Sequence, residues 1–396
     1  MFLYKNNRLV LQKEDSFVPV EEIAQQQKKP FYLYDLEGIK KWYRFFISQT
    51  KQSLKVFFAM KSNNNKQILT ALKEEGCGVD VVSLGEAQLA LNLGFSPQKI
   101  VFSGVGKTTE ELNLAVTQSF FQTNIESFEE LHRLIQIVKQ RKKNIKIGLR
   151  INPNIDFKSH PYIKTGLNEH KFGLDESELK NILNCIKQHK QISLKGLSMH
   201  IGSQIYDIQA LSKAMSSLKM LYKSIKKQGF PLEVLDIGGG LGIKYEKEDL
   251  EDEKNRLFAF NQAFKDVFKN FEAEIITEPG RFLVARFGIL CSQVEYLKQN
   301  PQKQFLILNS GMNHFLRTAL YGTQHRILPL LQRQGEKELY DVVGPICETG
   351  DTFYKDCLLS PRKPGDWLAI ADTGAYGFVM SNSYNLQIPI KEVCIS

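Results

Sequence analysis

Residues 120–151 read FFQTNIESFEELHRLIQIVKQRKKNIKIGLRI, and a change of period inside that stretch decides the fold. Residues 120–124 and 145–151 are short β-rich runs. Between them Leu131, Leu134, Ile135 and Val138 recur at the three-and-four spacing of a helix that buries one face, which predicts a helix over 128–140. A strand, a helix and a strand in that order predict a parallel pair joined by a crossover.

The same unit repeats in both directions. Strands are also predicted over 56–60, 79–82, 100–103, 194–200, 233–237 and 274–277, which brings the total to eight. Helical patterns at 66–75, 85–92, 109–117, 177–189, 208–228 and 254–269 fall between them. Eight alternations predict a closed (β/α)8 TIM-like barrel, placed at 30–281. After residue 281 the strand-like runs recur without long helices, at 288–298, 304–308, 340–343, 367–371 and 392–395. Turns such as Lys363-Pro364-Gly365-Asp366 separate them, which predicts an antiparallel β-sandwich or barrel. The opening runs 2–4 and 9–12 are expected to join it, making a discontinuous domain of 1–29 and 282–396.

Composition agrees with two globular domains: 396 residues, 42% hydrophobic and 24% charged. No apolar run approaches the roughly 20 residues of a membrane span. Met1 to Leu11 lacks the apolar core of a secretory signal. The net charge is +9, but the lysines are spread along helical segments. The densest run, Lys139-Gln140-Arg141-Lys142-Lys143, reads as a solvated helix end, so neither nucleic acid nor a membrane is the expected partner. Surplus positive charge suits an anionic substrate and cofactor. Cys77, Cys185, Cys291, Cys347, Cys357 and Cys394 form no C-x-x-C pair and no cluster with histidine. Zinc and a disulfide scaffold are therefore not expected, and reduced thiols in a cytoplasm are.

Chemistry in such barrels gathers at the C-terminal ends of the strands, and polar residues stand there. Lys61 follows the first predicted strand and Glu126 the fourth. Arg150 and Asn152 close the fifth, and His200 ends the sixth. Gly238-Gly239-Gly240 follows the seventh and Glu278-Pro279-Gly280-Arg281 the eighth. A carboxylate such as Glu278 can grip a protonated pyridine nitrogen, and Gly280 with Arg281 can hold a phosphate. Lys61 follows Phe57, Phe58, Ala59 and Met60; apolar packing is expected to lower its pKa and sharpen it as a nucleophile toward an aldehyde. His200 can stack on a flat ring, and Ser203 can hydrogen-bond a phosphate oxygen. The run from Gly238 to Gly242 fails the G-x-G-x-x-G pattern because Ile243 stands at the third glycine position, so a phosphate-facing turn is the better reading. These are the handles that pyridoxal phosphate (PLP) needs.

Further along, Arg317 with Tyr321 offers a two-pronged partner for a carboxylate. Cys347-Glu348 sets a thiol able to deliver a proton beside an acid able to bind an amine. Tyr376 lies in the glycine-flexed turn Gly374-Ala375-Tyr376-Gly377. Taken alone, Arg317 also reads as a solvated arginine and Tyr376 as ordinary packing.

Taken in order, the motifs resemble the diaminopimelate decarboxylase family, within the fold type III (alanine-racemase-like) PLP decarboxylases. The resemblance runs from about Phe31 to Asn385. It is carried by Phe58-Ala59-Met60-Lys61-Ser62-Asn63, by Asp80 through Glu86, by Phe102 through Lys107, by Arg150-Ile151-Asn152-Pro153 and by Lys171-Phe172-Gly173. His200-Ile201-Gly202-Ser203-Gln204, Asp236 through Gly240, Glu278 through Arg281 and Cys347-Glu348 complete it. The resemblance implies that Lys61 holds PLP, that His200 stacks on its ring and that Glu278 keeps the pyridine nitrogen protonated. It places Ser203, Gly240, Gly280, Arg281 and Tyr376 around the phosphate, with Gly238, Gly239 and Pro279 in the same cofactor loops. Arg281, Arg317, Tyr321, Glu348 and Tyr376 would read the distal end of the substrate. Cys347 would return a proton to carbon and, with Glu348, would come from the partner subunit, so a homodimer with two shared sites is implied.

The implied reaction converts meso-2,6-diaminopimelate to L-lysine and CO2, the last step of lysine biosynthesis. The alternatives are a related decarboxylase acting on carboxynorspermidine, ornithine or a D-amino acid, a racemase, and a non-catalytic regulator on the same fold. Arg317 with Tyr321 and the Ser203-Gln204 pair argue against the first, Glu278 against the second, and Lys61, Glu278, Arg281 and Cys347 against the third. The chain departs from the family pattern at Asn309-Ser310-Gly311, where Asp-Ala-Gly is usual, at Thr318 in place of a proline, and at Phe58 in place of a frequent tyrosine. Relatives are also expected to continue with a further strand after the run 392–395.

Overall fold

The computed structural model describes residues 1–50, 54–153, 171–246 and 250–396. The chain divides into two compact units, one made of Tyr43–Ile243 and Glu251–Phe282, the other of Met1–Trp42, Lys244–Leu250 and Leu283–Ser396.

In the first unit eight parallel strands close into a barrel. They are Leu54–Ala59, Gly78–Val81, Ile100–Phe102, Gln122–Ile125, Ile145–Arg150, Ile192–Ser198, Val234–Asp236 and Glu274–Thr277, and the eighth pairs back to the first. These are the eight strands expected, each end displaced by two residues at most. The helix between the fourth and fifth strands, Phe128–Arg141, shows how the local sequence works. The Ser127 hydroxyl accepts the Glu130 N–H at 3.1 Å and caps its start. Leu131, Leu134, Ile135 and Val138 are buried, and Lys142 ends the helix in the left-handed region at φ 50°. The basic run after Val138 is exposed, as a solvated helix end should be. Phe57, Val101, Phe121, Val234 and Ile276 form one apolar cluster that draws on the first, third, seventh and eighth strands and so spans the barrel.

The second unit holds a sheet in the order Ile327–Pro329, Trp367–Ile370, Gly288–Gln299, Gln304–Leu308, Glu338–Val343 and Thr352–Leu359. Phe31–Asp35 pairs with Gly288–Gln299 on one side and Lys391–Ile395 on the other. The expectation of a purely antiparallel domain is corrected here, because two pairings are parallel: Gln304–Leu308 with Glu338–Val343, and Lys391–Ile395 with Phe31–Asp35. The connection from Leu308 to Glu338 carries the short helix Arg317–Tyr321 and is long enough for a parallel crossover. The opening strands Phe2–Lys5 and Arg8–Gln12 form a three-stranded sheet with Phe17–Pro19, tied to the larger sheet by the Leu9 N–H on the Leu330 carbonyl at 2.9 Å. Phe31–Asp35, which fell inside the expected barrel range, belongs with this unit because its backbone is paired on both sides within it. Among the described residues no helix is long and apolar enough to cross a membrane.

Candidate active site

The first barrel strand ends in a single 3-10 turn, Met60–Ser62, and this turn carries Lys61. The Ser62 hydroxyl donates to the Ala59 carbonyl at 2.8 Å, which fixes the turn. Lys61 Nζ lies 3.2 Å from Oδ2 of Asp80, a fully buried residue of the second strand. The ammonium borders a cavity of about 400 Å³ whose lining includes Ser103, Arg150, Ser198, His200 and Glu278. Arg150 closes one wall, with Nη1 at 2.9 and 3.1 Å from the two Glu126 oxygens and its guanidinium 4.8 Å over the Phe172 ring. Asn152 reaches the Phe172 carbonyl at 3.4 Å.

The turn after the seventh strand is tied on three sides. Asp236 Oδ1 accepts the Gly238 N–H at 2.9 Å, while the Gly238 carbonyl accepts the Thr277 hydroxyl at 2.6 Å and the Glu278 N–H at 2.8 Å. A Cβ on Gly239 would meet the Glu278 carbonyl oxygen at 2.2 Å, so the two loops approach each other only because glycine stands there. Gly240 has φ +106°, and its carbonyl accepts the Ile205 N–H at 2.9 Å. His200 is drawn in by the same turn: its Nδ1 accepts the Gly239 N–H at 3.3 Å. Burial first, then the charges of Lys61 and Arg150, hold the imidazole well below its ordinary pKa, so the ring is neutral with its proton on Nε2.

After the eighth strand the Pro279 carbonyl accepts the Ala59 N–H at 3.2 Å, which anchors the 278–281 segment beside Lys61. Arg281 is buried, and its Nη2 donates to the Ser203 hydroxyl at 3.2 Å. Glu278 is buried, and burial, then the charges of Asp236 and Asp80, push its carboxyl well above the usual range, with Lys61 opposing. Burial likewise pushes Asp236 up to about 7.

These groups fit PLP. Among the described residues no donor reaches the buried Glu278 Oε1, and Glu278 lines the cavity that also receives Lys61. Arg281 and Ser203 form a cationic, hydrogen-bonding pair next to a turn too tight for any side chain. The barrel thus brings together Lys61, His200, Ser203, Gly238, Gly239, Gly240, Glu278, Pro279, Gly280 and Arg281. Sequence reasoning assigned no role to Asp80, one residue before the end of the second strand, or to Asp236 and Ser198, which end the seventh and sixth. The available signal was an acid inside an apolar strand run, as in Val79-Asp80-Val81 and Leu235-Asp236-Ile237.

In the other unit Arg317 is buried on the short helix Arg317–Tyr321. Its guanidinium lies 5.1 Å from the Tyr245 ring, 5.3 Å from Tyr321 and 6.0 Å from Tyr376, so these aromatics form a cage around it. Cys347 and Glu348 are exposed on a loop organised by Asp351, whose carboxylate accepts the N–H groups of Ile346 at 2.7 Å and Met312 at 2.6 Å. Glu348 accepts the Tyr384 hydroxyl.

A barrel with an amine, a buried acid and an arginine–serine pair at its mouth defines a pyridoxal-dependent enzyme, and the family model for the pyridoxal binding domain of pyridoxal-dependent decarboxylases matches residues 36–285. Diaminopimelate decarboxylase of Aquifex aeolicus (strain VF5) is 39% identical over 378 residues, covering 96% of this chain and 89% of that protein. Diaminopimelate decarboxylase of Helicobacter pylori (strain J99) is 40% identical over 378 residues, covering 95% and 92%. The crystal structure of diaminopimelate decarboxylase from Helicobacter pylori complexed with L-lysine matches with a TM-score of 0.88 at 38% identity, covering 95% of this chain and 94% of that one. The chain belongs to the pyridoxal-dependent decarboxylases and, within them, to the diaminopimelate decarboxylase family.

Proposed function

We propose that this chain is a cytoplasmic carboxy-lyase that converts meso-2,6-diaminopimelate to L-lysine and CO2, the last step of lysine biosynthesis. The observation that carries the reading is the buried Glu278 carboxyl, set into the same cavity as Lys61. When bound, PLP supplies an electron sink for the pair left at Cα as CO2 departs. The chain does the rest. Lys61 would hold the cofactor through its side-chain amine. Glu278 would keep a proton at the ring nitrogen, and neutral His200 would cover the ring without adding charge. Arg281, Ser203 and the backbone of Gly238 to Gly240 hold the phosphate.

Arg317, within its cage of Tyr245, Tyr321 and Tyr376, takes the distal carboxylate, and Glu348 takes the distal amine. A site furnished for both charges leaves them unpaired with an amino acid that lacks either one, which is the source of selectivity. Cys347 returns a proton to the carbon. The exposure of Cys347 and Glu348 on an ordered loop supports their serving a second copy of the chain in a homodimer. The apolar side chains near them, Leu386 at 92% exposure and Ile388, suit burial by that copy.

Incubating the PLP-loaded chain with meso-diaminopimelate, carboxynorspermidine, L-ornithine and D-lysine tests the reading. Equal amounts of CO2 and L-lysine from meso-diaminopimelate, and nothing from the others, are expected. Release from another substrate alone would overturn the assignment of Arg317 and Glu348. No release from any of them, with PLP bound, would point to a regulator.

A further inference from the structure

Among the described residues, the buried polar atoms around the cavity without a protein hydrogen-bond partner include Asp80 Oδ1, Ser198 Oγ, Asp236 Oδ2, Glu278 Oε1 and Arg150 Nε. Ser198 and Asp236 end the sixth and seventh strands, Asp80 stands one residue before the end of the second, and Glu278 directly follows the eighth, so the acids and the hydroxyl gather at the C-terminal end of the barrel. Ser198 is the register partner of both Asp236 and Arg150. Asp236 and Glu278 are also tied to the same residue, Asp236 by its carboxylate accepting the Gly238 N–H and Glu278 by its backbone N–H donating to the Gly238 carbonyl, and the two buried side chains lie within hydrogen-bonding reach of each other. Two buried carboxyl groups in contact cannot both ionise cheaply. As carboxylates they have no donor between them. With one proton shared, Glu278 donates and Asp236 accepts.

We propose that Asp236 is a positioning residue that shares a buried proton with Glu278, so that the ring-facing carboxyl carries this proton before the cofactor arrives. Asp80 adds negative charge from the second strand, Lys61 and Arg150 add positive charge, and His200 is neutral. Asp236 thus keeps a proton in a site whose other acceptors would leave Glu278 bare. Loading the site moves that proton from Glu278 toward the ring nitrogen and draws none from solvent. Ser198 and Asp80 offer the remaining acceptors to buried water.

This inference rests on the reading of Glu278 as the partner of the ring nitrogen, and the test separates the two. PLP is titrated into the cofactor-free full chain by calorimetry in two buffers of different ionisation heat. Asp236→Asn presents an amide donor to Glu278 and empties the shared site, so it should take up about one more proton per site than the parent on binding PLP. Infrared difference spectra of the parent alone, without and with PLP, should show loss of a protonated-carboxyl band on loading, and Glu278→Gln should lack that band. The same proton count in Asp236→Asn as in the parent, or no such band, overturns the inference. If Glu278→Gln leaves both PLP affinity and the bound-cofactor absorbance unchanged, the reading of Glu278 itself fails.

Discussion

The backbone N–H of Gly239 reaches Nδ1 of His200 across 3.3 Å, and this bond decides which imidazole nitrogen keeps its proton. The donor comes from the turn after the seventh strand and the acceptor from the end of the sixth, so the ring is oriented by the fold itself. A cationic imidazole would set two donors against each other there.

His200 therefore links the site to stability. Its folded pKa lies well below the unfolded value near 6.5, so the unfolded chain binds the extra proton, and stability is lost as pH falls below about 6.5. Denaturant unfolding between pH 7 and 5 should show the parent losing up to about 1.4 kcal/mol per pH unit more than His200→Gln. Parallel slopes would contradict a neutral buried imidazole.

Gly239→Ala is expected to cost about 1–3 kcal/mol, because the new Cβ stands 2.2 Å from a backbone oxygen that can move only by displacing Glu278. Thermal melting checks the stability, and absorbance titration should show weaker PLP binding in parallel. Loss of stability with unchanged PLP affinity would separate this turn from the cofactor.

Arg281→Lys keeps the charge but loses the planar fork that also reaches Ser203. One charge-assisted hydrogen bond is worth about 1.5–3 kcal/mol, so the Kd for PLP should rise about 10- to 100-fold. Fluorescence titration reads this directly, and Ser203→Ala should move it less.

If Cys347 serves the other copy's site, Cys347→Ala and Lys61→Ala should each be nearly inactive, yet recover activity when mixed and allowed to exchange subunits. Random pairing of two chains leaves about a quarter of sites with both parental residues. No recovery, or full decarboxylation by Cys347→Ala with unchanged product, would contradict the shared site.

The barrel was legible in the sequence because most of its strands are short β-rich runs, the polar Gln122–Ile125 being an exception, and because helices such as Phe128–Arg141 carry a three-and-four pattern between them. Lys61, Glu278 and Arg281 were legible from their places at strand ends. Asp80 and Asp236 were not, since only the closed barrel shows that acids on separate strands share one space with Glu278. Phe31–Asp35 escaped because a fully buried run carries no alternation, and nothing in its residues says which sheet it enters. Thr352–Leu359 escaped for the opposite reason: Lys355 and Asp356 are exposed in its middle and break the apolar pattern.

The most direct measurement is to reduce the PLP-loaded chain with borohydride, digest it and locate the pyridoxyl group by mass spectrometry. The account predicts one labelled lysine, Lys61, with loss of CO2 release from meso-diaminopimelate in proportion to labelling. A label on any other lysine, or full activity in Lys61→Ala, would contradict it.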